Sequence, residues 1–271
     1  VSAALLTRPT ALAPSAPRRR RTWHRLVAPV LLFALLLAAW QAAVEVADIP
    51  AYLLPSPAAI GAEFVEFADT IAGAAWVTGG NALIGLLIGA VVGIGAAVAA
   101  AASRIVDALL APLVAGLAVV PIVALAPVLY TMYGAAAETG RQIVVAVAVA
   151  VPVFVNTLRG LRQVRPVHRD LMRALAATPR QITRQVTIPT AVPFVLTGLR
   201  LASSLAVISA IVAEYFGGPR TGIGSFITTA AAGSNYARAW AYVLGGVLVG
   251  LVFYLATSAL ERWGAPRQPT R

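Results

Sequence analysis

Side chains able to do covalent chemistry are scarce in this chain. It holds no cysteine, two histidines and ten carboxylates. Without a thiolate there is no disulfide framework, no cysteine nucleophile and no thiolate metal site. His24 and His168 each stand beside arginines in polar segments, which suits solvated surface positions better than a two-His metal site. Glu45, Asp107, Glu138 and Glu214 fall near the ends of apolar runs, whereas a proton or sodium path needs ionisable groups near the middle of the membrane. No paired acids, Ser/His set or phosphate-cradling glycine loop is present, so no catalytic residue, metal or cofactor is expected. What remains is charge chemistry. Seven arginines lie between Arg159 and Arg184, against the single carboxylate Asp170.

The stretch that carries them, RGLRQVRPVHRDLMRALAATPRQITRQVTIPTAVP (159–193), is the one long polar island in the chain. Its apolar residues recur at helical spacing: Leu171 and Leu175, then Ile182 and Val186. Thr178-Pro179 between them suits an N-cap followed by a first helical position. The pattern predicts two short amphipathic helices joined by a tight turn. Anionic lipid would attract them by roughly 1 kcal/mol per basic residue. A pure surface helix, however, needs larger apolar anchors than these, and a small-residue elbow (Ala174, Ala176, Ala177) is better shaped for a groove in a protein.

The surroundings of the island are those of a membrane protein. Hydrophobic residues make up 59% of the sequence and charged ones 11%, with a mean hydropathy of +0.83, outside the range of soluble domains. A net charge of +11 would point to nucleic acid in a soluble chain. Here the arginines lie between or beside apolar runs, so they report orientation, and no nucleic-acid partner is expected. Six spans are predicted, at about 26–47, 76–102, 106–130, 141–158, 190–214 and 237–260. An amphipathic segment, 58–73, with Ile60, Phe64, Phe67 and Ile71 on one face, should rest on the outer surface. Gly85, Gly89 and Gly93 form a small-residue seam suited either to close packing within one subunit or to a dimer contact. Pro112, Pro121 and Pro127 make the third span kinked, lining a cavity or merely bent. Residues 1–25 read as a disordered basic tail, 26–263 as the membrane domain and 264–271 as a polar C-terminal tail. Six arginines in the first tail, one after span two, seven in the island and three in the last tail put both termini and the island in the cytosol.

The segment from Asp170 to Pro189 resembles the cytoplasmic coupling loop of the inner-membrane permeases of binding-protein-dependent ABC importers. That family's pattern is Glu-Ala-Ala, three residues, Gly, then about ten residues to a hydrophobic-x-Leu-Pro ending. Asp170-Leu171-Met172 stands in place of Glu-Ala-Ala and Ala176 in place of Gly, while Val186, Ile188 and Pro189 close the motif. APVLYTMYG (126–134), VPVFVNTLRG (151–160), PTAVPFVLTGLR (189–200) and AEYFGGPRTGIG (213–224) look like the same family, over about residues 26 to 263. If the turn at Ala176 needs a positive φ, alanine there carries a penalty of ~1–2 kcal/mol.

The resemblance implies an all-α polytopic protein with six transmembrane helices and a cytoplasmic two-helix coupling loop at about 162–189. It implies a bacterial plasma (inner) membrane location and a homodimer. Its partners would be cytosolic ATP-binding subunits, an extracytoplasmic substrate-binding protein and membrane lipid. Coupling would fall to Asp170, Leu171, Met172, Arg173, Leu175, Ala176, Thr178, Pro179, Arg180, Ile182, Val186 and Pro189. Pro121, Pro127, Asn156, Arg200 and Glu214 are candidates for the substrate pathway, Arg200 either facing an anionic solute or snorkelling to the interface. The chain itself would not be an enzyme, ATP hydrolysis residing in the partner. The Leu-Pro-Ser-Pro segment (54–57) and AEYFGG…GIG resemble the branch importing nitrate, sulfonates, taurine and pyrimidine or thiamine precursors, with a lean to sulfonate- or nitrate-like anions. An ion-coupled secondary transporter is the alternative, and a membrane-embedded enzyme a more distant one.

Overall fold

In the computed structural model, residues 23–134 and 136–264 are described, and among them there are helices and no strands. The expected basic tail therefore falls outside the described residues up to position 22, and the expected C-terminal tail from position 265. The helices are α1 (Trp23–Val46), α2 (Pro57–Glu66), α3 (Ala68–Ala102), α4 (Arg104–Val119), α5 (Ile122–Tyr133), α6 (Thr139–Arg162), α7 (Pro166–Ala174), α8 (Pro179–Ile182), α9 (Ile188–Tyr215), α10 (Ile223–Ala232) and α11 (Tyr236–Gly264). A π-helical turn, Thr183–Thr187, joins α8 to α9, so that Pro179–Tyr215 is one rod of 37 residues. Five helices are long and apolar enough to cross a membrane, and six if α4 and α5 together count as one broken span.

The core is a three-helix contact of α3, α6 and α9. Val145, Val149 and Val153 of α6 and Ala202, Ala206 and Ala210 of α9 meet Ala82 and Leu86 of α3. The glycine seam decides this packing. A Cβ on Gly89 would lie 2.5 Å from the Ala146 carbonyl oxygen, and one on Gly93 would lie 2.7 Å from that of Ala150. Both are closer than real Cβ contacts, so glycine lets the α3 and α6 backbones touch. The seam thus packs within one subunit.

Two boundaries differ from the sequence pattern. The amphipathic run 58–73 is broken at Phe67 (φ −102°, ψ 20°), and α3 starts at once, with Asp69 in its first turn. The carboxylate favours that helix start by opposing the positive end of the helix dipole. α2 opens on Pro57 with Ser56 as N-cap, whose hydroxyl accepts from the Ala59 N–H at 3.2 Å. It is held on α11 by the Arg238–Glu63 pair at 2.8 Å, while the Arg238 guanidinium covers the Phe67 ring at 3.7 Å.

The third span is broken by 102° between α4 and α5. Val120 is extended (φ −62°, ψ 124°), as the residue before a proline tends to be, and Pro121 starts the next helix. Pro112 and Pro127 sit inside α4 and α5 without breaking them.

Candidate functional site

The rod Pro179–Tyr215 carries a polar device at each end. At its beginning stands the hairpin of α7 and α8. Thr178 and Gln181 form a reciprocal capping box. The Gln181 side-chain oxygen accepts from the Thr178 N–H at 2.7 Å, and the Thr178 hydroxyl accepts from the Gln181 N–H at 3.4 Å. The elbow is a Schellman turn. The Ala177 N–H donates to the Met172 carbonyl at 2.9 Å and the Ala176 N–H to that of Arg173 at 2.9 Å. This geometry puts Ala176 at φ +53°, the left-handed region where glycine is at ease.

Ala176→Gly removes a left-handed penalty of ~1–2 kcal/mol but loosens the unfolded chain by about 0.4–1 kcal/mol. Amide exchange at Ala177 is therefore expected to slow by about two- to fivefold. Unchanged or faster exchange in a hydrogen-exchange experiment would show that the turn bears no such strain.

Val167, Leu171 and Leu175, spaced four apart, are 72%, 58% and 69% exposed and form an apolar ridge on α7. Arg169, Arg173 and Arg180 are exposed beside it, with Arg173 and Asp170 paired loosely at 3.3 Å. Met172, Ile182 and Val186 are half-buried. The π turn follows from Pro189, which has no N–H to give. The ladder shifts instead, so that Ile188 N–H reaches the Thr183 carbonyl, five residues back. Straps hold the same end of the membrane bundle. Arg162 pairs with Asp107 at 2.8 Å, and Arg200 pairs with Glu261 at 2.8 Å while Thr197 donates to that carboxylate at 2.6 Å.

At the far end of the rod lies a buried carboxylate clasp. The Glu214 and Arg141 side chains are both 0% exposed. The Thr78 hydroxyl donates to Glu214, at 2.8 Å from Oε2 and 3.0 Å from Oε1, and accepts from the Ile223 N–H at 2.9 Å. Gly224 N–H donates to Glu214 Oε2 at 3.0 Å. Arg141 stands 3.9 Å from Glu214 Oε1 and 2.8 Å from Glu138, and also donates to the Pro219 carbonyl. Asn81 donates to Glu138 at 2.7 Å and Gln142 to Asn81 at 3.0 Å. Tyr130 OH completes the ring of contacts on the Ala213 carbonyl at 2.9 Å. Gly218 (φ +88°) lets the chain reverse against Tyr130 and Arg141, where a Cβ would lie 3.0–3.1 Å from both side chains. Burying these charges is tolerable because each has an opposite partner and further hydrogen bonds.

The five candidates for a substrate pathway do not converge. Pro121 lies at the bend, Pro127 faces outward on α5, and Asn156 donates to the Pro152 carbonyl of its own helix at 2.8 Å. Arg200 is occupied by Glu261, and Glu214 belongs to the clasp. Glu214 also lines a cleft against α10, whose lining does not include the other four. Sequence reasoning passed over Thr78, Asn81, Gln142 and Val167. The signal for the first two was present, as polar residues inside an otherwise apolar span.

An all-helical membrane bundle, with a basic hairpin built onto one of its spans, defines a transmembrane permease. Residues 85–268 match the family model of the binding-protein-dependent transport system inner membrane component, and the chain belongs to that family. It is 34% identical over 248 residues to the riboflavin transport system permease protein RibX of Chloroflexus aurantiacus, covering 90% of this chain and 91% of that protein. It is 28% identical over 247 residues to the putative aliphatic sulfonates transport permease protein SsuC of Bacillus subtilis, covering 90% and 88%. The inward-facing MetNI methionine ABC transporter shares the fold with a TM-score of 0.61 at 19% identity, over 74% of this chain and 99% of that one. The chain is thus an ABC importer permease subunit, embedded in the membrane by several apolar helices.

Proposed function

We propose that this permease works as a homodimer whose α7–α8 hairpins dock on cytosolic ATP-binding subunits, while its opposite face takes solute from an extracytoplasmic binding protein. The observation that carries this reading is the ridge of Val167, Leu171 and Leu175. It is apolar, exposed, rimmed by arginines and continuous, through the elbow, with a membrane-crossing rod. Such an arrangement turns movement of a docked partner into movement of α9. The two states differ in the contacts each makes with that partner, which is what drives the switch.

The arginine distribution supports an orientation with both termini and the hairpin in the cytosol of a bacterial plasma (inner) membrane. Arginines near the interface also suit anionic lipid headgroups. The motif residues Asp170, Leu171, Met172, Arg173, Leu175, Ala176, Thr178, Pro179, Arg180, Ile182, Val186 and Pro189 make up the docking hairpin and its attachment. The solute is a small molecule within the range of the two relatives' names, riboflavin to aliphatic sulfonates. Ion coupling has little to work with, since Glu214 and Arg200 are each held by fixed partners.

Leu171→Asp combined with Leu175→Asp tests the docking surface. Both side chains are exposed, so insertion and membrane yield should be unchanged while the ATP-binding subunit no longer co-purifies. Full retention of that subunit would dismiss the ridge as the docking site.

A further inference from the structure

The clasp at the outer end of α9 shapes a cleft of about 360 Å³ between the chain reversal after Glu214 and helix α10, a size that suits a small ligand. One wall is aromatic. Tyr215 and Phe216 are 48% and 47% exposed, with their rings edge to face and centroids 5.2 Å apart. The facing wall presents the hydroxyls of Ser225, Thr228 and Thr229. Arg220, exposed, completes the lining and forms no ion pair among the described residues.

The hydrogen-bonding inventory of this cleft is one-sided. Ser225 Oγ donates to the Gly222 carbonyl at 2.7 Å, and Thr228 and Thr229 each donate to the Ser225 carbonyl at 2.8 Å. Each hydroxyl has therefore spent its single proton and offers only lone pairs. The N–H groups of Ile223 and Gly224, which at a helix start would cradle an anion, are taken by Thr78 and Glu214. Arg141 is taken by Glu138, Glu214 and the Pro219 carbonyl. A small oxyanion such as nitrate or a sulfonate needs several converging donors. Here it would find Arg220 alone, facing a wall of acceptors.

We propose that this cleft receives a flat, ring-bearing solute. Its face lies against Tyr215 and Phe216, its N–H or O–H groups donate to the α10 hydroxyls, and Arg220 meets a carbonyl or an anionic substituent. The inference rests on the importer reading and narrows it, setting ring compounds above the small anions to which the sequence resemblance leaned.

The test uses the full chain in lipid nanodiscs, with and without its ATP-binding subunits, and four probes: riboflavin, 4-aminopyrimidine, taurine and nitrate. At least one ring probe is expected to bind saturably, and taurine and nitrate are expected neither to bind nor to compete. Phe216→Ala and Tyr215→Ala should each weaken ring binding by about tenfold, and Phe216→Tyr and Tyr215→Phe should restore it. Restoration separates stacking from a folding defect. Binding of taurine or nitrate that is lost in Arg220→Ala and untouched by the aromatic substitutions would overturn the proposal, as would failure of both ring probes. Retention of the ATP-binding subunit is read in the same preparations. Its loss counts against the hairpin docking alone, because probe binding is also measured on the permease without it.

Discussion

Glu214→Ala is expected to lower stability by about 3–5 kcal/mol, the cost of breaking a buried charge pair by removing one partner, and to abolish transport. The alanine leaves the Gly224 N–H and the Thr78 hydroxyl without their acceptor and leaves Arg141 facing one carboxylate instead of two. It also frees α10, whose first turn is tied to α9 only through this carboxylate and Thr78 among the hydrogen bonds described. Glu214→Gln should fall between, since its amide oxygen can still accept from Gly224 while the attraction to Arg141 is gone. Thr78→Val removes one charge-assisted hydrogen bond and the acceptor of the Ile223 N–H, at about 1.5–3 kcal/mol. Unfolding of the purified variants in detergent, followed by tryptophan fluorescence, orders the three. Wild-type stability of Glu214→Ala would mean that the clasp contributes nothing to holding α10.

The second large effect is electrostatic and falls at the opposite end of the rod. Arg173→Glu combined with Arg180→Glu changes the charge of the hairpin by four units and is expected to dissociate or uncouple the ATP-binding subunit while leaving the membrane bundle intact. Both side chains are exposed, so the substitution strands no buried group. Part of the loss should return at lower ionic strength if the partner carries compensating basic residues, since exposed charges are screened over about 10 Å at 0.1 M salt. Co-purification of the doubly reversed permease with a fully stimulated ATPase would rule out these two arginines as docking contacts.

Much of this architecture can be read from the sequence because it depends on local signals. The apolar runs mark the spans, and Thr178-Pro179 marks the start of α8, where the structure has a capping box. The requirement for a positive φ at Ala176 could be posed as a condition, and the turn meets it. What stayed hidden depends on partners distant in sequence. Glu214 and Thr78 are 136 residues apart, and nothing in either neighbourhood announces the other. Arg141, counted from the sequence among outer-loop charges, is fully buried because Glu138, Glu214 and the Pro219 carbonyl enclose it. Three prolines in one span look alike on paper. Only Pro121 breaks the helix, since its neighbours Pro112 and Pro127 are carried within continuous helical turns. The glycine seam was compatible with two interfaces, and the approach of α6 to Gly89 and Gly93 decides between them.

The π turn and the Arg200–Glu261 strap give the rod Pro179–Tyr215 a mechanical character. With Arg200 as the fulcrum, the arm to Pro179 spans 21 residues, about 32 Å, and the arm to Glu214 spans 14, about 21 Å, at 1.5 Å per residue. A stroke delivered at the hairpin then reaches the clasp reduced to roughly two-thirds in distance and raised in force by the inverse of that ratio. The gearing favours prising apart a tightly bonded clasp over a wide swing, so a small movement at the ATP-binding subunits is matched to a stiff closure on the far side.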